Sequence, residues 1–203
     1  MKSDKQIPSF IKFLEDYHPE KGQLSGELKD FLETIIQQRK YRKHHILVHE
    51  EQVPHYAWFI VEGAARVYYY NESQSQEETC WFWYPGQMMF SLRSSFRQLL
   101  AGEYVELLRD STLLVISMYD LRILTSRFPE YRLIERAMIE DYQCRINDYN
   151  RIVTTNINER FVNILRSNKE IFSLTSLKNI ASFMKMHRST LSYYRALHFN
   201  DPE

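Results

Sequence analysis

Cysteine is nearly absent from this 203-residue chain: Cys80 and Cys144 lie far apart and form no CxxC pair. Two isolated thiols cannot hold a zinc or iron–sulfur centre, and they suit a reducing compartment better than a disulfide scaffold. Glycine and proline are also scarce, at five and six residues, which argues against long flexible linkers. No apolar run approaches the length of a membrane span, and the opening MKSDKQIPSF has no signal-peptide core. Net charge is missing as well. The 26 basic and 26 acidic residues cancel, so bulk charge points to no partner. These absences lead to the expectation of a cytoplasmic chain with no membrane partner.

What remains is enough for a core, with 44% hydrophobic and 14% aromatic residues. Residues 1–40 show helical spacing, with Phe10, Leu14 and Tyr17, then Leu28, Phe31, Leu32, Ile35 and Ile36. From Tyr41 the pattern becomes short β-branched and aromatic runs: HHILVHEE, YAWFIVEG, ARVYYYN, ETCWFWYPG, EYVELLRD and STLLVIS. Turns at Pro54, Gly63, Asn71–Gln76 and Pro85-Gly86 separate them, which predicts an antiparallel sandwich or barrel. SSFRQLL interrupts the runs as a short helix.

Helical periodicity returns at Met118. A short helix covers Tyr119–Arg127, and Pro129 is placed to start a longer one. Along it Tyr131, Ile134, Met138, Tyr142, Arg145, Tyr149 and Ile152 recur every three or four residues, close to a heptad. Such a stripe pairs with a copy of itself or lies on its own barrel; dimerisation through Tyr131, Ile134, Met138, Tyr142, Tyr149 and Ile152 is the expectation carried forward. Thr154-Thr155-Asn156 breaks the pattern before a further amphipathic helix, Ile157–Ser167.

Charge is uneven along the chain. From Arg151 onward there are eight Lys/Arg against four Asp/Glu, leaving 18 against 22 before it. In SLKNIASFMKMHRSTLSYYRAL the apolar groups Leu177, Ile180, Ala181, Met184, Met186, Leu191 and Tyr194 have the spacing of two helices crossing around a tight turn. Ala181 allows close approach, and Lys185 occupies a turn position that commonly takes a left-handed glycine. The second helix presents Arg188, Ser189, Thr190, Ser192, Tyr193 and Arg195 as candidate DNA contacts. Arginine reads guanine bidentately, and serine or threonine meets bases or phosphates. Lys178 and Lys185 are candidate phosphate neighbours.

The order of barrel, long helix and helix-turn-helix resembles the Crp-Fnr transcription factors, in particular their compact Bacteroidetes-type branch. The resemblance spans roughly residues 25–197, and YAWFIVEGAARVYY, LLRDSTLLVISMYDL and SLKNIASFMKMHRSTLS carry most of it. It implies an α+β fold: an N-terminal cyclic-nucleotide-binding-like antiparallel β-barrel of jelly-roll type, a long dimerisation helix and a C-terminal helix-turn-helix domain. The corresponding boundaries are 1–127, 128–155 and 156–203. It also implies a homodimer on double-stranded DNA, with half-sites about one helical turn apart, and RNA polymerase as a candidate partner. The family's recognition helix often reads Arg-Glu-Thr-Val-Gly/Ser-Arg. Here Arg188 and Thr190 match, while Ser189 and Tyr193 replace Glu and the second Arg.

Members that bind cyclic nucleotides carry Gly-Glu-Leu and, eleven residues beyond that Gly, Arg-Ser/Thr-Ala. The matching positions here are Phe90-Ser91-Leu92 and Ala101-Gly102-Glu103, so the carboxylate and the phosphate-binding arginine are both gone. Arg93 and Arg97 are near but wrongly spaced. Cyclic AMP or GMP is therefore not expected to bind. Phe82, Phe90, Trp81, Trp83, Tyr84, Met88 and Met89 suit an unidentified apolar effector, or simply fill a small barrel.

His44, His45 and His49 in KHHILVHEE do not make a cupin-type ligand set, so no metal and no cofactor is expected. Without a Gly-rich phosphate loop, GxSxG elbow or HExxH motif, no catalytic residue is assigned and no enzyme is expected. The rival to a regulator is a ligand-sensing or protein-interaction module whose degenerate helix-turn-helix no longer binds DNA.

Overall fold

The computed structural model describes residues 6–18, 20, 22–91 and 94–199. Two short amphipathic helices come first. α1 (Ile7–Asp16) buries Ile7, Phe10 and Leu14, and α2 (Gly26–Ile35) buries Leu28 and Leu32. The Ser25 hydroxyl accepts from the Leu28 N–H and so starts α2 with a side-chain cap.

Eight strands form the body: β1 (Gln37–Tyr41), β2 (Ile46–Val48), β3 (Tyr56–Glu62), β4 (Ala65–Asn71), β5 (Gln76–Trp83), β6 (Met88–Met89), β7 (Tyr104–Leu107) and β8 (Ser111–Ser117). They pair antiparallel in two four-stranded sheets, ordered β1-β8-β3-β6 and β2-β7-β4-β5. Helix α3 (Ser94–Arg97) lies between β6 and β7, within the expected SSFRQLL segment. β1 falls inside the 1–40 stretch expected to be helical. Its sequence QQRKY offers neither apolar alternation nor β-branching, and pairing with β8 from Gln37↔Val115 to Tyr41↔Ser111 creates the strand.

Each sheet has a different environment, and the strands reflect it. β8 is buried from Ser111 to Ile116 because its sheet is covered on both faces. Inside the barrel, Trp58, Ile60, Leu113 and Val115 meet Ala65, Trp83, Val105 and Leu107 of the other sheet. Outside, Phe59, Leu114 and Ile116 pack against α1, α2, α4 (Met118–Arg127) and α5 (Pro129–Val153). The second sheet is covered on its outer face chiefly at β5, by the C-terminal helices.

The apolar stripe of α5 does not face outward. Tyr131, Ile134 and Met138 are at most 5% exposed, buried against α1, α2 and α4. Further along, the Tyr142 ring stacks on Trp83 at 5.2 Å, and Tyr149 stacks on Phe183 at 4.8 Å while Ile152 joins the C-terminal core. Of the six residues expected at a dimer contact, Tyr131, Ile134 and Met138 are thus buried within the chain itself, while Tyr142, Tyr149 and Ile152 are half-buried against the barrel and the C-terminal helices. Tyr17 Oη, just past the end of α1, donates to Asp141 at 2.6 Å and ties α5 to α1, while Arg145 Nη2 donates to the same oxygen from within α5 at 2.6 Å.

The chain ends in α6 (Ile157–Asn168), α7 (Ile171–Leu174), α8 (Leu177–Phe183) and α9 (Arg188–Phe199). Asn156 and Ser176 cap α6 and α8 by accepting from Glu159 and Asn179 N–H groups. The four-residue α7 had no periodic signal. Among the described residues no helix is long and apolar enough to cross a membrane.

One backbone position constrains the barrel closely. Gly63, between β3 and β4, has φ +111°, and a Cβ there would sit 2.6 Å from the Ser111 Cβ. Gly63→Ala should lower unfolding free energy by about 1–3 kcal/mol through strain alone. Urea titration checks this; a loss under about 0.5 kcal/mol would show that the β3–β4 turn relaxes freely.

Candidate nucleic-acid interface and barrel cavity

The helix-turn-helix forms where the spacing predicts it. Ile180, Ala181, Met184 and Leu191 are buried, and Met186 is half-buried beside them. Lys185 adopts φ +51°, so the turn keeps its left-handed residue without glycine. Arg160 of α6 secures the turn by donating through Nη1 to the carbonyls of Met184 at 3.3 Å and Lys185 at 2.7 Å. Those carbonyls are orphans of the α8 C-terminus, so a single guanidinium satisfies both. Sequence reasoning gave Arg160 no role, because its partners are backbone atoms about 25 residues away.

On α9, Leu191 points inward and Tyr194 stacks on Phe161 at 5.7 Å. The opposite face carries Arg188, Ser189, Ser192, Tyr193 and Arg195, all exposed, with Thr190 half-buried at its edge. Tyr193 is 62% exposed, unusual for so large a ring. Neither Arg188 nor Arg195 has an ion-pair or hydrogen-bond partner among the described residues. Lys178 is exposed on α8.

Lys185 differs from expectation. Its Nζ lies 3.1 Å from Glu78 Oε2 on β5, and its side chain borders the barrel cavity. The Ser182 hydroxyl donates to the same oxygen at 3.2 Å and accepts from the Thr79 N–H at 2.9 Å. In this arrangement Lys185 is a barrel contact and not a free phosphate neighbour. Glu78 is 8% exposed. Burial pushes its carboxyl up, but hydrogen bonds from Lys185 and Gln76 outweigh burial and leave it below the ordinary 4.5.

The cavity between the sheets and α5 has a volume of about 450 Å³. Trp81, Trp83, Met89 and Phe90 line it, as do Tyr142 and Tyr149 from α5. Phe82 and Tyr84, on the other side of β5, face the C-terminal helices instead, and Met88 belongs to the core under α1. Alternation along the strand separates the two sets. Ser91 and Gly102 also border the cavity. Ser91 is engaged locally: its hydroxyl accepts from Ser94 Oγ at 2.5 Å, and its N–H donates to Ser95 Oγ at 3.1 Å. Ala101 is buried, with its N–H on Gln52 O and its carbonyl on Glu51 N, each at 2.9 Å. Leu92 and Arg93 lie outside the described residues. Among the described residues, Lys185 and Glu103 are the charged ones on the cavity wall. Burial holds the Cys80 thiol at about 11 and, with Glu103 next in effect, the Tyr142 phenol at about 12, so both are neutral at pH 7.

The histidines serve locally. His44 Nδ1 is 2.7 Å from Glu106, which also receives Arg66 Nε at 2.7 Å on the outer face of the second sheet. The His49 ring meets Tyr104 edge-on.

Comparison with known proteins agrees with this architecture. Residues 38–128 match the family model described as "Cyclic nucleotide-binding domain". FixK2 from Bradyrhizobium japonicum superposes with a TM-score of 0.70 at 15% identity, covering 82% of this chain and 85% of its own. The c-di-GMP responsive global regulator CLP of Xanthomonas campestris gives 0.65 at 13% identity, covering 87% and 93%. A protein from Eubacterium rectale placed in the Crp/Fnr family gives 0.65 at 14%, covering 92% and 88%. No curated protein sequence matches the chain. Residues 38–128 thus resemble a cyclic nucleotide-binding domain, and most of the chain shares its fold with these three structures.

The lowered Glu78 pKa sets a pH signature. Its contribution to stability is fully present above the ordinary carboxylate value and is lost as pH falls through the lowered one. Glu78→Gln should therefore cost about 1–3 kcal/mol near neutrality, and the deficit relative to the parent chain should close in acid. Thermal unfolding across pH checks this; a deficit that persists unchanged in acid would place the effect elsewhere.

Proposed function

We propose that the chain is a sequence-specific DNA-binding transcriptional regulator that works as a homodimer, without cyclic AMP or cyclic GMP as effector. The outer face of α9 carries the reading. Two arginines without partners among the described residues, three small hydroxyl residues and an exposed tyrosine line one side of a helix whose other side is locked into a core. Arg188 at the helix start is the candidate for bidentate guanine contact. Ser189, Thr190, Ser192, Tyr193 and Arg195 follow along the groove, and Lys178 reaches a phosphate. Lys185 joins them only if it leaves Glu78. RNA polymerase is the machinery such a regulator would act upon.

Because the apolar stripe of α5 is occupied, a second copy would meet its opposite face. There Leu133, Ala137, Glu140, Cys144, Asn147 and Arg151 alternate at four and three residues, a heptad row displaced from the buried one. Leu133 is 52% exposed and is the apolar anchor of that row. The absence of a cyclic nucleotide effector rests on chemistry. Among the described residues the cavity wall has no arginine for a phosphate, and the backbone groups of Ala101 are already paired.

Several phosphate contacts make DNA affinity steeply salt-dependent. Six contacts imply a fall of about 10³-fold between about 50 and about 200 mM salt. Binding isotherms on double-stranded DNA measure this, and a flat response would return the chain to the protein-interaction reading. Arg188→Ala should cost about 1–3 kcal/mol at one base position and relax preference there. Equal loss on every sequence would make Arg188 a phosphate contact. Cyclic AMP should leave the melting temperature of the purified chain unchanged, and a saturable rise would refute the pocket reading.

A further inference from the structure

Glu103 stands apart from the other charges around the barrel cavity. It lies on the cavity wall, yet has no ion-pair or hydrogen-bond partner among the described residues, whereas Lys185 on the same wall is matched by Glu78. Among the described residues, the wall therefore carries one uncompensated negative charge. Around it are aromatic rings: Tyr142 stacks on Trp83 at 5.2 Å, and Trp81 meets Tyr142 at 6.0 Å and Tyr149 at 5.9 Å, both edge-on. The indole Nε1–H of Trp81 is buried without an acceptor.

We propose that this cavity binds an organic cation: an amine or quaternary ammonium on a small aromatic body, with its charge facing Glu103. Aromatic faces attract a cation through their quadrupole, and a carboxylate in a partly dry chamber adds to that attraction. Trp81 Nε1–H supplies a donor for a hydroxyl on the ligand body. An anion fits poorly. It would have to draw Lys185 from Glu78 and leave two carboxylates uncompensated near the same chamber. The sign of the site is thus opposite to that of a phosphate pocket. Ala101 stands where the family resemblance places an arginine, and the charge two residues later is Glu103.

A ligand in this position touches Tyr149 and Lys185, both of which hold the helix-turn-helix against the barrel. Occupancy is thereby linked to the placement of α9. What the ligand controls rests on the regulator reading, whereas its binding does not.

Tyramine, tyrosol and 4-hydroxyphenylacetate share one phenol ring and differ in tail charge, being cationic, neutral and anionic. Calorimetric titration of the full chain without DNA should give tyramine the tightest binding, about tenfold over tyrosol, with the anion weakest. Glu103→Gln should erase the tyramine advantage while leaving tyrosol affinity and the melting temperature unchanged. The proposal is overturned if the anion binds best or if tyramine and tyrosol bind alike. It is equally overturned if none of the three binds at millimolar concentration, or if the tyramine advantage survives Glu103→Gln. A mobility-shift assay on the same protein separates the two readings, since absent DNA binding beside intact tyramine binding counts against the regulator alone.

Discussion

Strand β5 is the constraint on which the rest of the molecule depends. Its inward side chains, Trp81 and Trp83, form the aromatic wall of the barrel cavity. Its outward ones, Glu78 and Phe82, are the platform for α8: Phe82 meets Phe183 edge-on at 5.0 Å, and Glu78 accepts from Ser182 and Lys185. A strand has two faces and no more, so whatever shifts one set shifts the other. The ladder to β4 also skips Cys80, passing from Val67↔Trp81 to Tyr68↔Thr79. That irregularity lets Cys80 border the cavity while Glu78 still reaches α8.

Helix α5 serves both ends of the same connection. Tyr142 is packed between Trp83 and Phe90 at the cavity, and two turns later Tyr149 Oη donates to the Phe183 carbonyl at 2.7 Å. Rings in direct contact run from the barrel interior through α5 to the end of α8. The polar links lie at the margin, where Lys185 retains 40% of its side-chain exposure and water can compete. The joint is thus apolar at its centre and charged at its rim.

The sequence made the element order legible because most elements carry their own period. The β-branched and aromatic run YAWFIVEG, the helical spacing after Pro129 and the hairpin spacing from Leu177 all correspond to observed elements. Three features were hidden for physical reasons. β1 is polar and exists through its pairing with β8, and α7 is too short to show a period. The third is the direction of the α5 stripe, since a seven-residue repeat looks the same whether its partner is a second helix or a barrel. At the site, the exposed face of α9 was readable from side-chain type and spacing. The roles of Glu78 and Arg160 were not, because each depends on residues or backbone atoms distant in sequence.

On the proposed function, α9 reads DNA from a two-fold assembly with no added nucleotide. Selection of bound duplexes from a random library by the purified chain tests it directly. The expected result is enrichment of a symmetric site whose half-sites are centred about one helical turn apart, roughly 34–36 Å. A library recovered without enrichment, or with a single unpaired half-site, would contradict it.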